Sequence, residues 1–123
     1  MQYPKNYLEY FKLFNEKKFF EAHEVLEDEW HKEKRKNDYY KGLIQLAAAF
    51  VHIQKKQFRG ARELFRKSHN YLSPYLPYHQ GMNLERLLAQ IEVIDQLLAE
   101  DRIDWEKIKV PVLRIEKMHR LEK

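Results

Sequence analysis

The chain lacks cysteine altogether and contains only three glycines and four prolines among its 123 residues. Without cysteine it has no disulfide, no thiolate nucleophile and no cysteine-ligated zinc site. Its longest unbroken apolar run, residues 46–51, is far shorter than the ~20 residues that cross a bilayer. The first residues also lack the apolar stretch of a signal peptide. We therefore expect a cytoplasmic protein with no membrane helix.

Apolar residues nevertheless make up 44% of the chain and aromatic residues 14%, which is enough for one hydrophobic core. The length matches a single domain spanning residues 1–123. Because glycine and proline rarely interrupt the sequence, we predict an all-α fold. Hydrophobic periodicity predicts five main helices, at about 6–15, 19–33, 39–56, 58–71 and 84–99.

The remaining segments are predicted to be turns and a short tail. Pro74, Pro77 and Gly81 mark one extended turn before the fifth helix. In the tail, residues 101–123, Asp104 is suited to cap a sixth, short helix. Residues 110–115 are the only strand-like run, and no second strand is predicted to pair with it.

The first four helices form two hairpins that resemble each other at an offset of 39 residues. Matching positions carry the same residue, as in Phe19 and Phe58, Ala22 and Ala61, and Lys17 and Lys56. The pattern is similar to the second helix of a tetratricopeptide-type repeat, but a third copy is missing, which argues against an open solenoid. We therefore predict a compact bundle, with two hairpins at about 6–72 and a capping helix at 84–99.

Polar residues interrupt the apolar faces of the second and third helices. On a helical wheel His23 lies within the apolar stripe of the second helix, with Glu27 at its margin. The third helix is apolar nearly all round except for Gln45 and His52, which are seven residues apart and share a face. If the two helices are antiparallel neighbours, His23 and Glu27 can meet Gln45 or His52 in a buried polar pocket.

Two interpretations of this pocket remain open. It is either a structural hydrogen-bond network that fixes the register of the hairpins, or a ligand or metal site. In the second case His23, Glu27 and His52 are candidate ligands of a divalent metal with an open position. The zinc-protease pattern fails because Glu27 stands where the second histidine belongs. No nucleophile elbow or phosphate loop is present, so no catalytic residue is predicted.

Positive charge is concentrated in the middle of the chain. Residues 31–69 carry 11 basic and 3 acidic residues, a net charge of +8, whereas the whole chain carries +4. Such a zone favours phosphate binding, and single-strand binders place aromatic rings among their basic residues. Here Phe58 and Phe65 are predicted to face the core instead, which favours a solvated charged surface.

Three segments together resemble a known family: 19–30, with the run Glu-Ala-His-Glu and Trp30; 40–52, with Gly-Leu-Ile-Gln and His52; and 60–62. They are similar to the bacterial and archaeal domain of unknown function family 309, over about residues 7–75. The resemblance implies a small, compact helical bundle found as a stand-alone protein, and it supplies no established activity. The residues that make the match are also our candidate ligand-binding cluster: His23, Glu24, Glu27, Trp30, Gln45 and His52.

We expect a non-enzymatic interaction or scaffolding module, and the sequence leaves open whether it has no cofactor or binds a divalent metal. An aromatic loop at 75–79 is a candidate surface for a protein partner or a second copy of the chain. The first alternative is an enzyme that binds a metal or a small molecule through the polar cluster. The second is a nucleic-acid-binding protein that uses the basic zone.

Overall fold

The computed structural model describes residues 2–100 and 104–116. Their five α-helices are α1 (Lys5–Asn15), α2 (Phe19–Lys32), α3 (Asp38–Gln54), α4 (Phe58–Leu72) and α5 (Leu84–Leu98). Two 3-10 turns, Ser73–Tyr75 and Trp105–Lys107, and a two-stranded antiparallel sheet of β1 (Tyr78–His79) and β2 (Met82–Asn83) complete the assignment. The predicted helical fold is confirmed, and no helix in these residues is long and apolar enough to cross a membrane.

Hydrogen bonds at the helix ends explain where the helices stop. At the end of α1 the amide of Lys17 donates to the carbonyl of Phe14, and that of Lys18 donates to Leu13. This is the Schellman pattern, which satisfies the last carbonyls of a helix. The same pair of bonds recurs after α2 at Lys34 and after α3 at Lys56. The turns that follow α1 and α3 therefore match, as the 39-residue repeat predicts.

The middle of the molecule is α3, which packs against α2 on one side and α4 on the other. Ten of its residues are buried. A Cβ on Gly42 would lie 2.7 Å from the buried Leu72 of α4, so only glycine allows this close approach. The buried hydroxyl of Ser68 donates to the carbonyl of Gly42 (2.8 Å) and fixes the register of the two helices.

Buried tyrosines hold the turn between α4 and α5 against the hairpins. The hydroxyls of Tyr7 and Tyr39 are 2.6 Å apart, and Tyr7 donates to the carbonyl of Gln80 (2.9 Å). Tyr10 donates to the carbonyl of Leu43 (2.7 Å). The predicted extended turn here contains the short β1–β2 hairpin, which the sequence analysis did not predict.

The tail packs against the end of α1. The side-chain amide of Asn15 forms two hydrogen bonds with the backbone of Leu113, donating to its carbonyl (2.7 Å) and accepting from its amide (2.8 Å). Ile108, Pro111 and Leu113 are buried. No strand is assigned at residues 110–115, so this segment pairs with no other strand, as expected. The predicted sixth helix is the single 3-10 turn at Trp105–Lys107, where the Asp104 carboxylate accepts from the amide of Glu106.

Candidate functional site

One face of α2 carries most of the sequence-predicted site residues. Phe19, Ala22 and Leu26 are the buried residues of this helix. His23 and Trp30 are half-buried on the adjoining stripe, seven residues apart and therefore on one face. The same stripe carries a half-buried Glu27 and a Phe20 that is 55% exposed. Glu24 is exposed and follows Phe20 by four residues, so it lies at the solvent border of this stripe.

The packing of α2 against α3 is antiparallel, as predicted. At one end the rings of Phe19 and Phe50 stack with centroids 5.1 Å apart. At the other end the ammonium of Lys41 lies 4.4 Å from the centre of the Trp30 ring, a cation–π contact. We define the α2–α3 face as Phe20, His23, Glu27 and Trp30 of α2 with Lys41 and Gln45 of α3.

Two polar atoms on this face are buried without a hydrogen-bond partner in the described residues. They are Nδ1 of His23 and Nε1 of Trp30. The His23 ring stacks on Phe20, with centroids 6.1 Å apart and an interplanar angle of 18°. An unpaired buried polar atom costs roughly 1–3 kcal/mol. The α2–α3 face therefore keeps two unsatisfied atoms close to an exposed aromatic ring.

The third helix does not bring all the predicted residues together. The ring of His52 is turned towards α4, where a Cβ on Gly60 would lie 2.7 Å from it, and its Nδ1 lies 3.0 Å from the carbonyl of Ala48. Gln45 is half-buried. Within residues 2–100 and 104–116, no hydrogen bond or ion pair links His23 or Glu27 to either residue. The four residues are thus half-buried neighbours on two helices and not a hydrogen-bonded pocket.

The metal hypothesis is not supported by the described side chains. Among them no group of three or more histidine, aspartate and glutamate residues is placed to hold a metal ion. The three candidates, His23, Glu27 and His52, do not form a ligand set because His52 packs against α4.

Phe20 and Lys41 belong to the face but were not selected from the sequence. In the sequence only helical spacing indicates that they share this face, since Phe20 precedes His23 by three residues and Lys41 precedes Gln45 by four. An exposed aromatic residue and a lysine are each common on helix surfaces, so spacing alone does not distinguish them. The cation–π contact depends on the distance between two helices, which only the structure supplies.

The aromatic loop at 75–79 is mostly packed. The ring of His79 lies between Tyr39 and Tyr75, with centroid distances of 4.5 and 4.6 Å. Partial burial lowers the pKa of His79. Leu76 is exposed. The loop therefore contributes mainly to the tyrosine cluster.

The basic zone is divided by the fold. The basic residues within 32–36 lie at the end of α2 and in the turn after it, and the basic residues within 55–59 lie between α3 and the start of α4. The two groups are therefore at opposite ends of the 17-residue α3, about 25 Å apart. On α4 the guanidinium of Arg62 forms two hydrogen bonds with Asp95 of α5. Phe58 and Phe65 pack against the core, as predicted.

Residues 7–64 match the family model of DUF309, a domain of unknown function. The matched segment, 58 residues, is a little under half of the chain, and over this segment the chain is similar to that family. Over 69 residues it is also 38% identical to the uncharacterized protein YpuF of Bacillus subtilis (strain 168). This alignment covers 54% of the chain and 40% of YpuF, so the chain spans less than half of that relative. The DUF309 match includes the whole α2–α3 face.

Proposed function

We infer that this protein is a non-enzymatic interaction module that binds another polypeptide through the α2–α3 face. The observation that carries this inference is the pair of unsatisfied buried atoms, His23 Nδ1 and Trp30 Nε1. Rotation of the half-buried His23 and Trp30 side chains on binding brings these atoms to the surface, where an acceptor for Trp30 and a complementary polar group for His23 on the partner remove both penalties. Tryptophan anchors of this kind commonly dominate interface energetics.

The shape of the face favours a polypeptide over a small molecule. Its residues follow a helical spacing, 20, 23, 27 and 30 on α2, and form a long stripe beside α3. Five cavities among the described residues are lined by other side chains, between α4 and α5 or around the turns and the tail. Backbone carbonyls of a partner can reach along such a stripe, and the exposed Phe20 ring supplies apolar contact.

A photo-crosslinking residue placed at position 20 tests where the partner binds. Val93 on α5 is the matched control, because it is 59% exposed on another helix and Phe20 is 55% exposed. In the native cells we expect a discrete crosslinked protein from position 20 and none from position 93. Equal crosslinking at both positions would overturn the proposal.

The crosslinked protein, once purified, is then titrated calorimetrically with defined variants. Trp30→Phe keeps an aromatic ring beside Lys41 and removes the indole N–H together with the rest of the five-membered ring. We expect binding at least about 5–10-fold weaker, the loss of one hydrogen bond, while the free protein keeps its helical circular dichroism. Glu21→Ala, an exposed change on another side of the same helix, should leave the affinity unchanged. Unaltered affinity in Trp30→Phe would rule out the α2–α3 face as the binding surface.

A further inference from the structure

A separate cavity lies where the hairpins meet the tail. It has a volume of about 260 Å³ and is lined by apolar side chains from three places, with three polar residues completing the lining. The apolar residues are Phe19 of α2, Phe50 and Ile53 of α3, and Ile108 and Val110 of the tail. All except Val110 are buried. The lining is therefore fixed by the core on one side and by the tail on the other.

The polar residues of the cavity are Lys17, Gln54 and Glu106. The amide of Gln54 donates to the carbonyl of Lys17 (3.3 Å) and so joins the turn after α1 to the end of α3. In the described residues no carboxylate forms an ion pair with the ammonium of Lys17. The ion pair of this turn joins the neighbouring Lys18 to Glu16. A cation at the edge of an apolar cavity suits a ligand with an anionic head and an apolar chain.

The charge around this end of the molecule supports an anionic head group. The turns after α1 and α3 and the adjoining tail bring six lysines to it, which outnumber Glu16, Asp104 and Glu106 by two to one. These lysines are Lys17, Lys18, Lys55, Lys56, Lys107 and Lys109. Their summed field attracts anions to the cavity even though Glu106 lines part of it.

The volume limits the length of the chain that fits. An engineered apolar cavity of about 150 Å³ binds benzene, so the space here takes a somewhat larger body. Compared with the six carbons that fit in that cavity, about 260 Å³ takes on the order of eight to ten carbons. We propose that this cavity binds a medium-chain alkyl carboxylate, with the alkyl chain between Phe50 and Ile108 and the carboxylate beside Lys17.

Calorimetric titration of the full chain with butanoate, hexanoate, octanoate and dodecanoate tests this proposal. Each added methylene should tighten binding by about fourfold until the cavity is full near eight carbons, and the gain should then stop. Affinity that rises steadily to dodecanoate, or no binding of octanoate at millimolar concentration, would overturn the proposal. Octylamine is the charge control and should bind at least tenfold more weakly than octanoate.

Two valines of the tail provide a matched pair of variants. Val110→Phe places a ring in the cavity and should abolish octanoate binding, whereas Val112→Phe changes a side chain that is 70% exposed and should leave it unchanged. Helical circular dichroism checks that each variant is folded.

Lys17→Gln keeps the cavity and should weaken octanoate about tenfold without altering the binding of octanol, so it tests the head-group contact even if Val110→Phe unfolds. Equal octanoate affinity in Lys17→Gln and the parent would remove Lys17 from the proposal, and equal affinity in a folded Val110→Phe would remove the cavity.

Discussion

Three lysines adopt a backbone conformation that L-residues rarely take. Lys17, Lys34 and Lys56 have φ of 62°, 60° and 59°, and each occupies the position after a helix where glycine is preferred. A side chain in this left-handed region costs roughly 1–2 kcal/mol. The sequence analysis noted lysine at 17 and 56 within the repeat, but the hydrogen bonds that place these residues at φ near 60° are visible only in the structure.

Glycine at these positions is expected to stabilise the protein. We predict that Lys17→Gly or Lys56→Gly raises the free energy of unfolding by about 0.5–1 kcal/mol, because relief of the left-handed strain exceeds the extra chain entropy of glycine. Urea denaturation followed by circular dichroism measures this. Lys12→Gly, within α1, is the control and should lower stability by about 1 kcal/mol. Destabilisation by glycine at position 17 would contradict the Schellman assignment.

The candidate site also shows how far the sequence predicts the positions of single side chains. Wheel positions placed His23 within the apolar stripe of α2 and Glu27 at its margin. They did not determine that His52 turns towards α4, because this depends on the open space that Gly60 provides beside α3. A glycine near the start of a helix is common, and its packing role follows only from the neighbouring helix.

At the scale of elements, the contact between α3 and α4 depends on small residues. Gly42 lies against Leu72, and Gly60 lies against the ring of His52. The two contacts differ in how far the neighbour can move, since Leu72 is fully buried and His52 is half-buried. Tight helix pairs tolerate added volume poorly when the opposite side chain cannot shift.

The two glycines make a matched pair of substitutions. Gly42→Ala should lower the free energy of unfolding by about 1–2 kcal/mol, because the clash with Leu72 outweighs the ~1 kcal/mol that alanine gains in helix propensity. Gly60→Ala should change it by less than about 0.5 kcal/mol, since the imidazole edge can rotate away. Thermal and urea unfolding of both variants gives the comparison. A larger loss for Gly60→Ala than for Gly42→Ala would contradict this account.

Element boundaries followed closely from the sequence, whereas the short sheet did not. All five helices begin and end within two residues of the prediction, because caps such as Asn83 and strong apolar periodicity agree there. The β1–β2 hairpin has two residues in each strand, too few for an alternating pattern to register. It is held by tyrosines from α1 and α3, and such long-range contacts leave no local signal.

At the scale of the whole molecule, buried phenols link stability to alkaline pH. Desolvation by burial raises the pKa of Tyr7, Tyr10, Tyr39 and Tyr40 above the ordinary value of 10. Since these groups hold their protons longer when folded, the folded state binds more protons than the unfolded state above pH 10. Their contribution is therefore complete below pH 10 and is lost as pH rises.

We predict a steep fall in the free energy of unfolding between about pH 10 and 12, by up to roughly 1.4 kcal/mol per pH unit for each phenol that stays protonated. Urea titrations at several pH values measure the slope, and absorbance at 295 nm reports tyrosinate. The slope should be smaller in Tyr39→Phe. Ionisation of all eight tyrosines near pH 10 with the helical signal intact would contradict the prediction.

The contact between α3 and α4 also determines which residues a fragment must contain in order to fold on its own. The family match ends at residue 64, halfway along α4, whereas Ser68 and Leu72, which meet Gly42, lie beyond it. A polypeptide that ends at residue 64 lacks the second half of α4, which packs on Gly42 of α3. It also lacks the turn between α4 and α5, whose carbonyls accept hydrogen bonds from Tyr7 and Tyr39. The segment matched by the family model is therefore smaller than the region that must fold as one piece, and a fragment for expression should also keep the tail residues that pack on the core, which lie within 108–113.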